Sequence, residues 1–246
     1  MYYYQDYFGF LIAILLCMAF SAFASGRVKN AFAKYDKVRC RSGYSGYDTA
    51  ARLMRSGGVQ GISIGSVPGV LSDHYHPAKH IVNLSESTYG SRSVAAVAVA
   101  AHEIGHVMQR QDGYAPYRLR TALVPVVNFG SKLAMPLVLV GLLLDGYSLA
   151  AGSDLGFKIA MLGVLLYGGS FLFALVTLPV ELNASRRAAR MLAETGILVQ
   201  DELPAAKEVL SAAALTYLAS LMTSVVYFLR FLLRVLAMFG RRNDRR

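Results

Sequence analysis

Ser93-Val94-Ala95-Ala96-Val97-Ala98-Val99-Ala100-Ala101-His102-Glu103-Ile104-Gly105-His106-Val107-Met108-Gln109 is an apolar run without proline. It predicts a helix, and residues four apart on a helix project from one face. His102 and His106 can therefore share one metal ion, with Glu103 beside them. Neutral imidazole nitrogens suit Zn²⁺, and a glutamate next to the first histidine can take a proton from activated water without being a ligand itself. With 5 His and 6 Glu in 246 residues, a chance His-Glu-x-x-His is expected roughly 0.002 times. A structural zinc site is usually closed by four protein ligands, often cysteines. Here Cys17 lies in an apolar segment and Cys40 stands alone, so the pattern points to a catalytic metal.

Outward from this helix the chain is too apolar for an ordinary soluble domain, with 55% hydrophobic and 16% charged residues and a mean hydropathy of +0.42. Residues Phe8 to Ala24 carry no charge and are long enough to cross a bilayer; Phe157 to Val180 is similar, with only Lys158 at its edge. Ala122 to Leu144 is a third candidate, interrupted by Pro125, Asn128, Lys132 and Pro136, breaks that membrane helices tolerate when neighbours repair the backbone bonds.

No Lys or Arg precedes Phe8, whereas Arg27, Lys29, Lys34, Lys37, Arg39 and Arg41 follow the first span. The positive-inside rule then puts the N-terminus outside and the His102–His106 segment in the cytoplasm. The link Asp145 to Asp154 has no Lys or Arg, and Arg186, Arg187 and Arg190 follow the third span, so both agree. Ala22-Phe23-Ala24 resembles a signal-peptide cleavage site, but the positive n-region is missing. Two isolated cysteines suggest no disulfide framework. The net charge of +10 comes without any nucleic-acid motif and suits juxtamembrane contact with anionic lipid, so the expected partners are the bilayer and a substrate, not nucleic acid.

Between the first span and the histidines, Tyr47 to Ser56 reads as a short helix stopped by Gly57-Gly58. Val59 to Ile64, Val70 to Tyr75 and Lys79 to Leu84 read as strands of a small antiparallel sheet, ending where Ser91 or Ser93 caps the next helix. Lys79 to Ser85 is the expected edge against which an extended substrate adds as a strand. Pro204 to Phe239 reads as a long helix carrying Arg230 and Arg234. Those charges, with Arg241, Arg242, Arg245 and Arg246 beyond them, favour a helix that packs on the catalytic region through residues 212–217 and then lies at the inner interface, with a fourth crossing as the alternative.

A catalytic zinc needs one more protein ligand and an open position. No third His follows Gly105-His106 within the next turns. Glu181 is the best carboxylate, because it emerges from an apolar span on the same side as His102 and would be costly there unless paired or metal-bound. Ala184 and Ala188 are small enough to let its helix approach closely. The alternative pairs Glu181 with Arg186, Arg187 or Arg190. Glu194 and Glu202 sit in polar neighbourhoods, and Asp145 belongs on the opposite side.

Asp73-His74-Tyr75-His76-Pro77, Asn83-Leu84-Ser85, Ala98 through His106 with Gln109, Glu181-Leu182-Asn183-Ala184-Ser185-Arg186-Arg187-Ala188, and Ala212 through Tyr217 together resemble the neutral zinc metallopeptidases of the YugP type, bacterial membrane proteases more distantly similar to the HtpX and CAAX prenyl protease group. The resemblance implies His102, His106 and Glu181 as ligands of one Zn²⁺ per chain, with Glu103 as general base. His76 replaces the Asp of the family pattern and His80 is unexpected, so His74, His76 and His80 could form a second metal cluster or be ordinary loop histidines. Ser185 stands where the HtpX group commonly has an Asp, leaving Asn183 or Ser185 to orient a ligand histidine.

The expected fold is therefore a mainly α membrane protein, with transmembrane helices around a cytoplasmic gluzincin-like zinc-peptidase domain and a small antiparallel sheet before the metal-binding helix. The expected segments are an N-terminal span (1–26), the catalytic region (27–120), a transmembrane hairpin (121–180), the third-ligand helix (181–203) and a membrane-associated helix with a basic tail (204–246). The expected activity is hydrolysis of membrane or membrane-proximal polypeptides at the cytoplasmic face of a bacterial inner membrane, with His74 or Tyr75 as candidate oxyanion donor. The alternatives are a non-catalytic zinc-binding scaffold and a zinc hydrolase of non-peptide amides.

Overall fold

The computed structural model describes residues 2–150 and 153–243. Arg245, Arg246 and part of the Asp145–Asp154 link lie outside the described residues, as does the side chain of Asp145. The elements run α1 (Tyr2–Asp36), α2 (Gly46–Ser56), β1 (Ser63–Val67), β2 (His74–His76), β3 (Ile81–Ser85), α3 (Glu86–Tyr89), α4 (Val94–Gln111), α5 (Ala115–Ala150), α6 (Leu155–Glu194) and α7 (Leu203–Asn243). Two compact units are present. One holds residues up to Ser21, Leu119–Thr177 and the chain from Leu218 on; the other holds Ala22–Arg118 and Leu178–Tyr217. Each of the four long helices contributes to both.

In the first unit, α1, α5, α6 and α7 are each long and apolar enough to cross a membrane. Their outward surface is apolar, with Leu143 75% and Phe129 69% exposed, which suits lipid rather than water. Close backbone approach joins α5 to α6: a Cβ on Gly163 would stand 2.7 Å from the Ala134 carbonyl oxygen, and one on Gly141 2.4 Å from the Ala160 nitrogen. Small residues at such contacts are how helices pack where the solvent is itself apolar.

The C-terminal helix, for which an interfacial placement or a fourth crossing was expected, is long and apolar enough to cross. Within this unit Phe228 stacks on Phe171 at 5.4 Å, Tyr227 meets Phe10 edge-on at 5.8 Å, and Val235 is fully buried. The Arg230 guanidinium lies over the Phe10 ring at 4.9 Å, so a charge that looked prohibitive in sequence has a cation–π partner. The helix is a fourth member of the bundle.

In the second unit α4 is the central element. Val94, Ala95, Val97, Ala98, Ala100, Ala101 and Ile104 are all fully buried, the pattern of a helix surrounded by protein. It packs with Leu53 and Met54 of α2, Val82 and Leu84 of β3, Leu192 of α6 and Val209 of α7. Each large aliphatic side chain so buried contributes about 1.5–3 kcal/mol. Ser93 starts the helix, its Oγ accepting from the Ala96 N–H at 3.1 Å. A capping box of Ser45 and Asp48 starts α2, and Gly57 ends it.

The sheet is mixed, not antiparallel as expected. Its order is β1-β3-β2, with β1 parallel to β3 (Ser63 opposite Ile81) and β2 antiparallel to β3 (Tyr75 opposite Val82). The turn residues that suggested a meander instead carry the chain across β3. Parallel neighbours need a crossover, and residues 68–80, β2 included, supply it. β3 is consequently the central strand and cannot be the substrate edge that its sequence suggested. Asp73 anchors the arrangement, accepting from the Ser85 N–H and Oγ–H, both at 2.8 Å, so the Asp73–Pro77 and Asn83–Ser85 motifs form one structural piece.

Candidate active site

One helical turn of α4 brings the His102 and His106 rings to a centroid distance of 4.8 Å. The third member comes from α6. Glu181, 2% exposed, places one carboxylate oxygen 3.2 Å from His102 Nε2 and 3.4 Å from His106 Nε2. Among the described residues this is the group of His, Cys, Asp and Glu side chains placed to hold a metal ion, with its ligand atoms all within 4.8 Å of one another.

The approach depends on Gly105. A Cβ there would stand 2.6 Å from the Ala184 carbonyl oxygen, and Ala184 and Ala188 on the facing side of α6 are fully buried. The two backbones therefore touch at the turn that carries the histidines. Gly105→Ala is expected to force α4 and α6 apart and to cost about 1–3 kcal/mol, seen as a lowered denaturation midpoint together with weaker metal retention.

Hydrogen bonds around the histidines set which nitrogen faces Glu181. Gln109 Nε2 donates to the Val180 carbonyl oxygen at 2.7 Å and to Asn183 Oδ1 at 3.0 Å. Its Oε1 is then the acceptor 3.0 Å from His106 Nδ1, so the ring proton sits on Nδ1 and the Nε2 lone pair points at Glu181. Arg187 Nε donates to the same Asn183 oxygen at 2.8 Å, fixing the orientation of that amide. Ser185 Oγ stands 3.2 Å from His102 Nδ1 and holds the other ring in place through a hydroxyl that can donate or accept. Gln109→Leu removes this proton-directing partner, and an outer partner of this kind is worth about 10–100-fold in metal affinity. Titration with a competing chelator reads that loss.

This donor set fits zinc. Lone pairs of two neutral imidazoles and a buried carboxylate facing one another are repulsive unless a cation lies among them. Atoms sharing one four-coordinate zinc at about 2.0–2.2 Å stand about 3.3–3.6 Å apart, close to the observed 3.2 and 3.4 Å. Nitrogen and carboxylate donors without cysteine match the composition of catalytic rather than closed structural sites.

Glu103 is buried on α4 and its carboxylate accepts from the Tyr75 backbone N–H, which puts β2 beside it. Burial lifts the Glu103 carboxyl to about 7. His102 opposes the rise, Glu181 and Asp73 add to it, and the Tyr75 N–H opposes it; a dication at the triad would pull it back down. A cavity of about 330 Å³ adjoins Glu103 and His102, walled by Val28 and Phe32 of α1, Leu71, and Val209 and Ala213 of α7.

Other sequence candidates have different surroundings. His74 bonds the Ser72 carbonyl oxygen at 2.9 Å and Asn83 at 3.1 Å. The Tyr75 hydroxyl accepts from Arg110 at 2.9 Å, so neither side chain is turned to the triad. His76 accepts from the Lys79 N–H and His80 neighbours Arg110; with His74 they do not converge on a common point. Glu202 is buried but spent on the Arg41 and Val199 N–H groups, and Glu194 is exposed. Arg187, once a possible partner for Glu181, pairs with Asp112 instead. Asn183 acts through Gln109 rather than on a histidine directly. The role of Gln109 was the main feature sequence reasoning missed, and its position three residues beyond His106 on one helix face was the available signal.

Residues 10–236 match the family described as "Putative neutral zinc metallopeptidase". The chain belongs to this family. It is also 39% identical over 224 residues to "Putative membrane protease YugP" of Bacillus subtilis (strain 168), an alignment covering 91% of this chain and 95% of that protein. No solved structure matches the chain. Membership agrees with a triad able to hold zinc and with four membrane-length helices.

Proposed function

We propose that this family member is a membrane-embedded zinc metalloendopeptidase whose site opens at the cytoplasmic face of a bacterial inner membrane. The observation that carries the reading is the convergence of His102 Nε2, His106 Nε2 and a Glu181 oxygen with Glu103 one residue from the first ligand. Bound by those three atoms, zinc supplies Lewis acidity that activates water and polarises a carbonyl. Glu103 accepts the proton of the attacking water and delivers it to the leaving amine. Its burial keeps the site dry enough for that transfer, and the Tyr75 N–H holds its carboxylate in place.

Substrate placement follows from the walls. The apolar cavity beside Glu103 suits a large apolar side chain of a polypeptide, and β2 rather than β3 is the edge strand beside the site. Membrane or membrane-proximal polypeptides are the substrates best matched to a site carried on the ends of membrane-length helices. Cytoplasmic placement rests on the Lys and Arg that follow α1's apolar run and those at Arg186, Arg187 and Arg190, against none in the Asp145–Asp154 link. Four crossings put the C-terminal arginines outside, and the larger basic clusters still set the orientation.

The test is hydrolysis by purified full-length protein in detergent or nanodiscs, before and after chelation and after zinc is restored. Cleavage of a denatured protein or peptide library that vanishes on chelation and returns with zinc is the expected result. Turnover of small non-peptide amides alone would contradict the peptidase reading, and zinc uptake without any turnover in a lipid environment would favour a scaffold.

A further inference from the structure

Three cations on α6 and α7 have no ion-pair partner among the described residues. Arg187 pairs with Asp112, Lys34 with Glu208 and Arg41 with Asp201. Among the described residues, no ion pair or hydrogen bond engages the side chains of Arg186, Arg190 or Lys207. All three line one groove of about 680 Å³, twice the size of the cavity beside Glu103, and no carboxylate lines it. Leu182, Leu210 and Ala214 give it an apolar floor.

Position adds a second constraint. The groove begins two residues after the apolar run of α6 ends at Val180, and α7 leaves it at Ala214, just before its own apolar half. If α6 and α7 cross the membrane, this is the depth of the headgroup phosphates. Unpaired cations at that depth attract anionic lipid, and basic pockets between membrane helices on the cytoplasmic side bind anionic headgroups. Arginine forks match phosphate oxygens bidentately. A free phosphate would leave the apolar floor unused, and an acidic protein segment would neutralise the rim without filling the groove.

We propose that the α6–α7 groove is a binding site for an anionic phospholipid, its phosphate held by Arg186, Arg190 and Lys207 and an acyl chain laid along Leu182, Leu210 and Ala214. Ser185 lines the same groove and stands 3.2 Å from His102 Nδ1, so one side chain touches both the lipid site and a member of the metal triad. The proposal rests on the membrane-spanning reading of the helices and not on hydrolysis, so loss of catalysis would leave it standing.

Native mass spectrometry of the full chain in detergent tests it, with phosphatidylglycerol and phosphatidylcholine titrated separately and helical circular dichroism as the folding check for every variant. Wild type should prefer phosphatidylglycerol by at least about tenfold. The triple variant R186Q/R190Q/K207Q should bind it about a hundredfold more weakly, roughly fivefold per cation removed. Ala214→Trp narrows the apolar end without removing charge and should also lose the lipid. The charge-matched K37Q/R39Q/R55Q variant should bind it as wild type does. Equal binding by the triple variant and wild type would overturn the site, as would an equal loss in the charge-matched control. Displacement of the lipid by inorganic phosphate at matched concentration would show a phosphate site instead.

Discussion

Glu103→Gln is expected to lower polypeptide hydrolysis by roughly 10²–10⁴-fold, the range that a positioned general acid–base supplies, while zinc content stays at the wild-type level. Glutamine keeps the size of glutamate and can still accept from the Tyr75 N–H. It places no charge in a position only 7% exposed, so the helix should keep its packing. What it lacks is a site for the proton of the attacking water. Single-turnover cleavage at equal zinc loading measures the effect. Wild-type rates in this variant would remove Glu103 from the chemistry.

Glu181→Ala should weaken zinc binding by more than the factor of about 100 that an outer partner such as Gln109 can be worth. The carboxylate is nearly inaccessible, and its oxygen is the point on which both histidines converge. Alanine leaves two neutral imidazoles on one helix, and neither Glu194, which is exposed, nor Glu202, which is bonded to backbone N–H groups elsewhere, replaces the lost donor. The apo form of the variant need not lose stability, because removing Glu181 also removes a buried carboxylate that requires a cation beside it. Chelator competition and a melting curve without metal separate these two consequences.

How much of this was legible depends on whether the determining contact is local. His102 and His106 share a face because helix geometry guarantees it, and Ser93 capping Val94–Gln111 follows from the same local rules. Glu181 was legible for another reason: a lone carboxylate emerging from an apolar run needs a partner, and Ala184 and Ala188 beside it allow a close helix. The direction of β1 was not legible, because parallel or antiparallel pairing is decided by where residues 68–80 cross, and no turn motif encodes that. β2 spans only three residues, too few to show alternation. Gln109 could not be assigned its role from spacing alone, since its amide is oriented by Val180 and Asn183, more than seventy positions away. The partner of Arg230 was not legible either, because Phe10, at the other end of the chain, supplies the ring that receives it.

The proposed chemistry requires one Zn²⁺ held jointly by His102, His106 and Glu181. Elemental mass spectrometry of metal per chain, on wild type and Glu181→Ala purified in parallel with folding verified, tests it most directly. About one zinc per chain is expected in wild type and markedly less in the variant. Full zinc in Glu181→Ala, or none in folded wild type offered zinc, would contradict it.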